Sequence, residues 1–280
     1  MTDPMTKTIE APLTPVEWLT YQGRRLLTGL CWVVFGVGGL LLTFLWFPYL
    51  NLIEKNPERR IRLARQSISA TFRFFLGMIN AIGVARIDIE GVKRLQNVQG
   101  AIIVANHPTI LDYVMIAAAL PRVDCLVKSA LKTNVFLKGV VAAADYMLND
   151  HSDALLAECE KRLKKGDNIL IFPEGTRTVP GEPLTLKRGV AHIALRLHAP
   201  IEVLFVEAPD RWLSKGCPWW AIPKRRGTLK VRYLTRLDPQ AFDTNPQAGY
   251  SRSSRALTAA LTATLQAECD RVHAAPPFPV

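Results

Sequence analysis

Between Arg25 and Glu54 the chain carries no charged residue. The stretch "LLTGLCWVVFGVGGLLLTFLWFPYL" is long enough to cross a bilayer. A segment so apolar must be covered by lipid or by protein. Trp46 and Tyr49 near its end suit a membrane interface, and Pro48 suits the end of a helix. Gly36, Gly38 and Gly39 sit mid-run and permit a bend, so crossing the bilayer and dipping in and returning both stay open. The run is too long for a cleaved leader, and no small-residue cleavage site follows it.

The next stretch, "RRIRLARQSISATFRFFLGMINAI", has helical periodicity. Ile61, Ala64, Ile68, Phe72, Phe75, Ile79 and Ile82 share one face, and Arg62, Arg65, Ser69 and Arg73 share another. Beside the apolar run this reads as a basic amphipathic helix lying on an anionic leaflet, with an ordinary core-facing helix as the alternative. Positive charge is heavier after the run (Lys55, Arg59, Arg60, Arg62, Arg65) than before it (Lys7, Arg24, Arg25). If the run spans the inner membrane, the rest of the protein is therefore expected on the cytoplasmic side. Residues 1–83 are read as a tail, a membrane helix and this basic helix.

Lysine and arginine outnumber aspartate and glutamate by 35 to 24, a net charge of +11. Such a surplus selects anionic partners: a lipid surface, phosphorylated substrates or nucleic acid. The basic residues lie beside apolar and tryptophan-rich segments and form no nucleic-acid recognition motif, which favours lipid. The five cysteines are odd in number and irregular in spacing, as expected of reduced cytoplasmic thiols, and they offer no zinc-binding pattern.

From about Val84 the pattern changes. Short runs rich in isoleucine and valine occur at "ARIDIE", "AIIVA", "CLVK", "NILIF", "IEVLFVE" and "TLKVRYL". Helical stretches are expected at 112–120, 152–165, 188–197 and 251–267. Alternation of buried strands with helices predicts an α/β domain over 84–280, built on a central, mostly parallel β-sheet flanked by helices.

Two stretches carry chemistry. In "ANHPTILDY", His107 follows a buried strand and precedes Pro108, which places it at a strand-to-helix corner. Asp112 is five residues on. That spacing does not share a helical face, but it works if the chain folds back. Asp112 then accepts a hydrogen bond from one imidazole nitrogen, and the other is left to take a proton. No serine or cysteine is placed as a nucleophile, so the histidine is expected to activate a substrate hydroxyl directly. In "ILIFPEGTRT" a strand turns through Glu174, Gly175 and Thr176 to Arg177, a residue suited to gripping phosphate. Glu174 is placed either to hold Arg177 or to contact an acceptor. A solvated turn closed by a surface ion pair is the plainer alternative.

Together these stretches resemble the glycerolipid acyltransferase family, which contains 1-acylglycerol-3-phosphate acyltransferase. "NHPTILD" resembles its NHxxxxD motif, and "FPEGTRT" its FPEGTRS motif. "VKSALKTNVFLKGVVAAADYM" is similar to the second motif, in which a lysine and a Leu/Pro-Gly turn precede a strand, and "APIEVLFV" stands where the family has an apolar strand. The resemblance runs from about Val84 to Leu237. It implies His107 as general base with Asp112 as its partner. It implies that Glu174, Gly175, Thr176 and Arg177 bind the acceptor, with Arg177 on a phosphate and Lys128 as a second phosphate contact. It implies an acyl donor that is a thioester of coenzyme A or acyl carrier protein, a lysophospholipid acceptor, and no metal or cofactor.

Two stretches depart from the family pattern. Asn149 and Asp150 stand where an arginine is usual, and Glu202 interrupts the apolar fourth motif. Both leave open a different lysolipid, or a polyene or aminolipid acceptor. A non-catalytic, membrane-anchored lipid-binding protein is the alternative of another class; the intact His107 and Asp112 argue against it. Trp212, Trp219 and Trp220, interleaved with Lys215, Lys224, Arg225 and Arg226, are readable either as an interfacial belt or as partly core.

Overall fold

The structure, a computed structural model, describes residues 13–126, 138–147, 153–179, 181–208, 211–243 and 250–274. A capping box opens the first helix. The Thr14 hydroxyl accepts from the Glu17 N–H at 3.3 Å, and the Glu17 carboxylate accepts from the Thr14 N–H at 2.9 Å. The helix then continues as α1 (Pro15–Leu41), a π-helical turn (Leu42–Trp46) and α2 (Phe47–Ile53). Pro48 therefore does not end the helix. A proline lacks an N–H and crowds the carbonyl one turn back. The wide π turn just before it, where the Phe47 N–H reaches the Leu42 carbonyl, accommodates both. Gly36, Gly38 and Gly39 lie in regular helix, so the chain does not reverse there.

This rod of 39 residues is about 58 Å long at 1.5 Å per residue. Among the described residues it is the one helix long and apolar enough to cross a membrane. One face packs on protein. Cys31, Phe47 and Leu50 are buried, Phe35 lies 5.0 Å from Phe75, and Arg24 Nη2 donates to the Pro223 carbonyl at 2.9 Å. The other face is bare and apolar: Leu26, Leu30, Val33, Val37, Leu41 and Phe44 recur at helical spacing and are exposed.

Asn56 caps α3 (Pro57–Ala81), its side chain accepting from the Arg59 N–H at 3.1 Å. The apolar stripe of α3 is buried as the periodicity predicts, but the polar stripe does not lie on a leaflet. Arg65 is buried and donates to Asp124 at 2.6 Å and to the Ala144 carbonyl at 2.9 Å, with Asp167 at 3.4 Å. Ser69 and Arg73 both donate to the Ala118 carbonyl. Two carboxylates from distant parts of the chain draw Arg65 inward, and Ser69 is buried beside it, while Arg62 and Arg73 stay exposed; α3 therefore packs on the domain through part of this face too.

The sheet follows as β1 (Arg86–Asp88), β2 (Ile102–Ala105), β3 (Val123–Cys125), β4 (Asn168–Ile171), β5 (Ile201–Glu207) and β6 (Thr228–Leu237). Their spatial order is β1-β6-β5-β2-β4-β3, and every neighbouring pair is parallel except β5 with β6. The helices are α4 (Glu90–Lys93), α5 (Asp112–Ala119), α6 (Lys138–Ala143), α7 (Asp153–Lys164), α8 (Gly189–Leu197) and α9 (Tyr250–Ala274). Alternate strand residues enter separate cores. Ile103, Ala105, Leu170 and Leu204 face α3 and α5, while Ile102, Val104, Ile169 and Val203 face α8 and α9.

Three expectations are corrected. The strand read at "CLVK" lies earlier, because Asp124 joins the interior once Arg65 and Arg162 meet it. The segment after the expected Leu-Gly turn is helix α6, not a strand. Gly139 serves a close contact there, since a Cβ would lie 2.3 Å from the Thr43 side chain of the π turn. The closing helix α9 extends to Ala274, beyond the expected 267.

Arg65→Met should destabilise the protein by about 3 kcal/mol or more, because it strips a buried carboxylate of its nearest partner. The exposed Arg62→Met should change stability by no more than about 0.5 kcal/mol. Thermal unfolding of the full chain in detergent micelles compares the two.

Candidate active site

β2, β4 and β5 run side by side in the same direction, so the loops that leave their C-terminal ends converge. Asn106 sets the position of the first. It is buried, and its carboxamide replaces a peptide group in the ladder: Nδ2 donates to the Val206 carbonyl at 2.9 Å and Oδ1 accepts from the Val206 N–H at 2.7 Å. The next residue, His107, is thereby fixed just beyond the sheet.

His107 and Asp112 meet as the spacing allows. The helix begins four residues after Pro108, with Asp112 as the first residue of α5, and the loop folds back so that Nδ1 of His107 lies 2.7 Å from Oδ2 of Asp112. Asp112 is fully buried, whereas the His107 side chain is 23% exposed. Thr109 orients the carboxylate, donating its N–H to Oδ2 at 2.9 Å and its hydroxyl to Oδ1. Burial raises the Asp112 carboxyl above the usual carboxylate range, against the hydrogen bonds from His107 and Thr109. With Nδ1 directed at Asp112, Nε2 is the nitrogen that can meet a ligand. Phe172 stacks on the imidazole with ring centroids 4.3 Å apart and holds its plane.

The second loop closes over the first. The Glu174 carboxylate accepts from the His107 N–H at 3.1 Å and from the Thr178 hydroxyl at 2.7 Å, and the Thr178 N–H donates to the His107 carbonyl at 2.7 Å. Glu174 is therefore not the residue that holds Arg177. Burial raises its carboxyl too, against the bonds from Thr178 and His107. Gly175 has φ +67°, and the Lys187 side chain lies across it: a Cβ would come within 2.7 Å of Nζ.

Arg177 is held by the third loop, its Nη1 donating to the carbonyls of Leu213 at 3.0 Å and Ser214 at 3.1 Å. Glu174, Thr176, Arg177, Thr178, Glu182 and Lys187 line a cavity of about 210 Å³. A larger opening of about 980 Å³ lies between α6 and α7, beside Thr43, and contains none of these residues. Lys128, Asn149 and Asp150 lie outside the described residues. Glu202 is buried at the far end of β5, opposite Ile103, where Tyr233 donates to it at 3.0 Å and Arg236 pairs with it at 3.4 Å. It is a cross-strand ion-pair residue remote from the site, so it does not bear on the acceptor. Cys159 and Cys269 are buried thiols pushed up to about 11, unsuited to nucleophilic work.

Sequence reasoning passed over Asn106, Thr109, Phe172, Thr178 and Lys187. Asn106, Thr109, Phe172 and Thr178 had a signal, since each sits in one of the two motifs. Lys187 had only its place between a loop and a helix.

These features define a class: α/β proteins with a histidine–carboxylate pair beside a cavity lined by Arg177, Lys187 and two carboxylates, at the ends of parallel strands. Residues 86–205 match the family model described as Acyltransferase. That stretch is therefore similar to the acyltransferase family. It is 30% identical over 162 residues to an uncharacterised acyltransferase of Schizosaccharomyces pombe, covering 52% of this chain and 58% of that protein. It is 28% identical over 141 residues to 1-acyl-sn-glycerol-3-phosphate acyltransferase beta of Homo sapiens, covering 47% of each. The chain thus spans about half the length of the curated relatives it matches. The crystal structure of the 1-acyl-sn-glycerophosphate acyltransferase PlsC of Thermotoga maritima has a similar fold. Its TM-score is 0.68 at 17% identity, covering 91% of this chain and 100% of that one.

Where nitrogen NMR observes the neutral imidazole of His107 in the ligand-free protein, its proton should lie on Nδ1, facing Asp112. A proton resident on Nε2 would mean that this nitrogen is no base.

Proposed function

We propose that the protein transfers a fatty acyl chain from a coenzyme A or acyl carrier protein thioester to the free hydroxyl of a lysophospholipid. The leading acceptor is 1-acylglycerol-3-phosphate, which gives phosphatidate. The observation that carries this reading is the His107–Asp112 pair, with Nε2 turned away from its partner, beside a cavity lined by Arg177 and Lys187. The names of the relatives point to the same acceptor.

In this mechanism Nε2 removes the proton of the acceptor hydroxyl as its oxygen attacks the thioester carbonyl. The buried Asp112 carboxylate stabilises the imidazolium so formed. The tetrahedral intermediate collapses, the carbon–sulfur bond breaks, and the imidazolium returns its proton to the departing thiolate. The products are the new ester and a free thiol, and no bond to the protein forms. Arg177 and Lys187 hold the acceptor phosphate. Arg177 spends one nitrogen on the loop carbonyls, which leaves its others for the ligand.

The reading also places the protein on the cytoplasmic face of the inner membrane. The rod is about twice as long as the hydrocarbon core is thick, and the domain packs on it from Arg24 to Leu50. A perpendicular crossing would draw the domain into lipid. What these contacts favour is a rod lying in one leaflet, with its bare apolar stripe in lipid and the site beside the membrane surface.

His107→Ala should lower kcat by about 10²–10⁴ without unfolding the protein. Asp112→Asn should also be severely impaired: an amide can keep the hydrogen bond from Nδ1 but not the charge that offsets the imidazolium. Wild-type turnover by purified His107→Ala would overturn the base. Arg177→Ala should raise the acceptor KM roughly 10- to 100-fold and leave the donor KM unchanged. Arg177→Lys should recover part of the loss, because a point charge lacks the guanidinium fork. Equal kcat/KM for acceptors with and without the phosphate would remove phosphate recognition from the reading.

A further inference from the structure

The loop over residues 211–227 does two things at once. It holds the site, and it carries exposed tryptophans at the edge of the apolar rod. Trp212 is buried, but Trp219 and Trp220 are 41% and 51% exposed. Trp219 packs edge-on against Trp32 of α1, with centroids 6.4 Å apart, and lies 3.8 Å from where a Cβ on Gly29 would be. Trp219 thus packs on the flank of the rod, beside its bare apolar face, and Trp220 lies next to it. Arg211, Lys215, Lys224, Arg225 and Arg226 belong to the same loop, which contains no aspartate or glutamate. Arg225 also pairs with Glu17 at 3.6 Å, and Arg226 donates to the Asn80 and Ala85 carbonyls. Exposed indoles in a basic loop beside an apolar helix fit the headgroup region of an anionic bilayer.

The same loop reaches the reacting groups through backbone. The Trp212 indole N–H donates to the Trp219 carbonyl at 3.2 Å, tying the exposed end of the loop to its buried start. The next residue, Leu213, has φ +63°, an uncommon conformation for a branched aliphatic side chain. Its carbonyl accepts from Arg177 at 3.0 Å and from the Ile110 N–H, inside the His107–Asp112 loop, at 3.3 Å. The Ser214 carbonyl also accepts from Arg177.

We propose that residues 211–227 form a bilayer-docking loop whose seating in anionic headgroups positions Arg177 and the His107–Asp112 loop, so that acceptor capture is coupled to contact with the membrane that supplies the acceptor. Leu213 and Ser214 are positioning residues in this scheme. The coupling rests on the acyltransferase reading; the docking surface does not. An acidic protein such as an acyl carrier protein would use the cations but would have no use for two exposed indoles beside the apolar face of a helix.

The test uses the full chain reconstituted in vesicles of phosphatidylglycerol and phosphatidylcholine, where the rod keeps every variant on the membrane. Quenching of tryptophan fluorescence by lipids brominated near the headgroup should be clearly smaller for W219F/W220F than for the wild type. W219A/W220A should raise the KM for vesicle-borne 1-acylglycerol-3-phosphate about tenfold and leave the donor KM unchanged. W219F/W220F should restore most of the loss, since a phenyl ring still inserts. Unchanged quenching overturns the proposal. So does an acceptor KM that stays at the wild-type value in W219A/W220A, or a change confined to the KM of an acyl carrier protein donor. If the wild type transfers no acyl chain at all, the functional reading fails, and the quenching arm alone decides the surface.

Discussion

The paired hydrogen bonds between the Asn106 carboxamide and the Val206 backbone are the contact on which the site depends. They extend the parallel β2–β5 ladder by one step through a side chain, at the point where β2 must release its backbone. His107 then stands at a defined height above the sheet, and the loops after β4 and β5 have a fixed edge to close against. An alanine there would leave a buried N–H and a buried carbonyl without partners, the kind of loss that protein interiors tolerate poorly. The arrangement follows the general behaviour of open α/β sheets, in which ligand sites gather outside the carboxyl ends of parallel strands.

Around that edge the polar groups are arranged by division of labour. Asp112 is fully buried and has three hydrogen-bond donors, so its orientation is set before any ligand arrives. Glu174, an acidic residue of the second loop, is used to bind one loop to another. The cations stand apart from both. Arg177 is anchored by carbonyls, which fix a guanidinium without neutralising it. A charge held in this way keeps its attraction for an anion, which an ion pair with Glu174 would have cancelled.

A second network joins the membrane-proximal helices to the domain. Arg65 of α3 and Arg162 of α7 both meet Asp124 of β3, and Arg162 also meets Asp145 and Glu158. These groups tie α3, the strand at the sheet edge and the segment from α6 to α7 into one unit. The apolar rod packs on that unit through Phe35, Phe47 and Leu50 and not through charge. Its outward stripe has no partner among the described residues, and its composition suits hydrocarbon.

Local sequence was enough for whatever depends on periodicity and on contiguous motifs. The apolar run, the alternation of strand and helix, the α/β class and the meeting of His107 with Asp112 across five residues were all legible, because each is settled by neighbours in the chain. What the tertiary structure decided were the partners of charged groups. The arginine stripe of α3 has the pattern of a leaflet-facing helix, and Asp124 and Asp167, about sixty and a hundred residues away, draw its Arg65 inward. Glu174 and Arg177 have the spacing of an ion pair, and Thr178, His107 and the Leu213 carbonyl claim them separately. Trp212 and Trp219 are a few residues apart, yet one is core and the other surface. Apolar burial needs only a face and a period. A charge is satisfied by whichever opposite group or carbonyl the fold brings within about 3 Å, and that group leaves no mark on the local sequence.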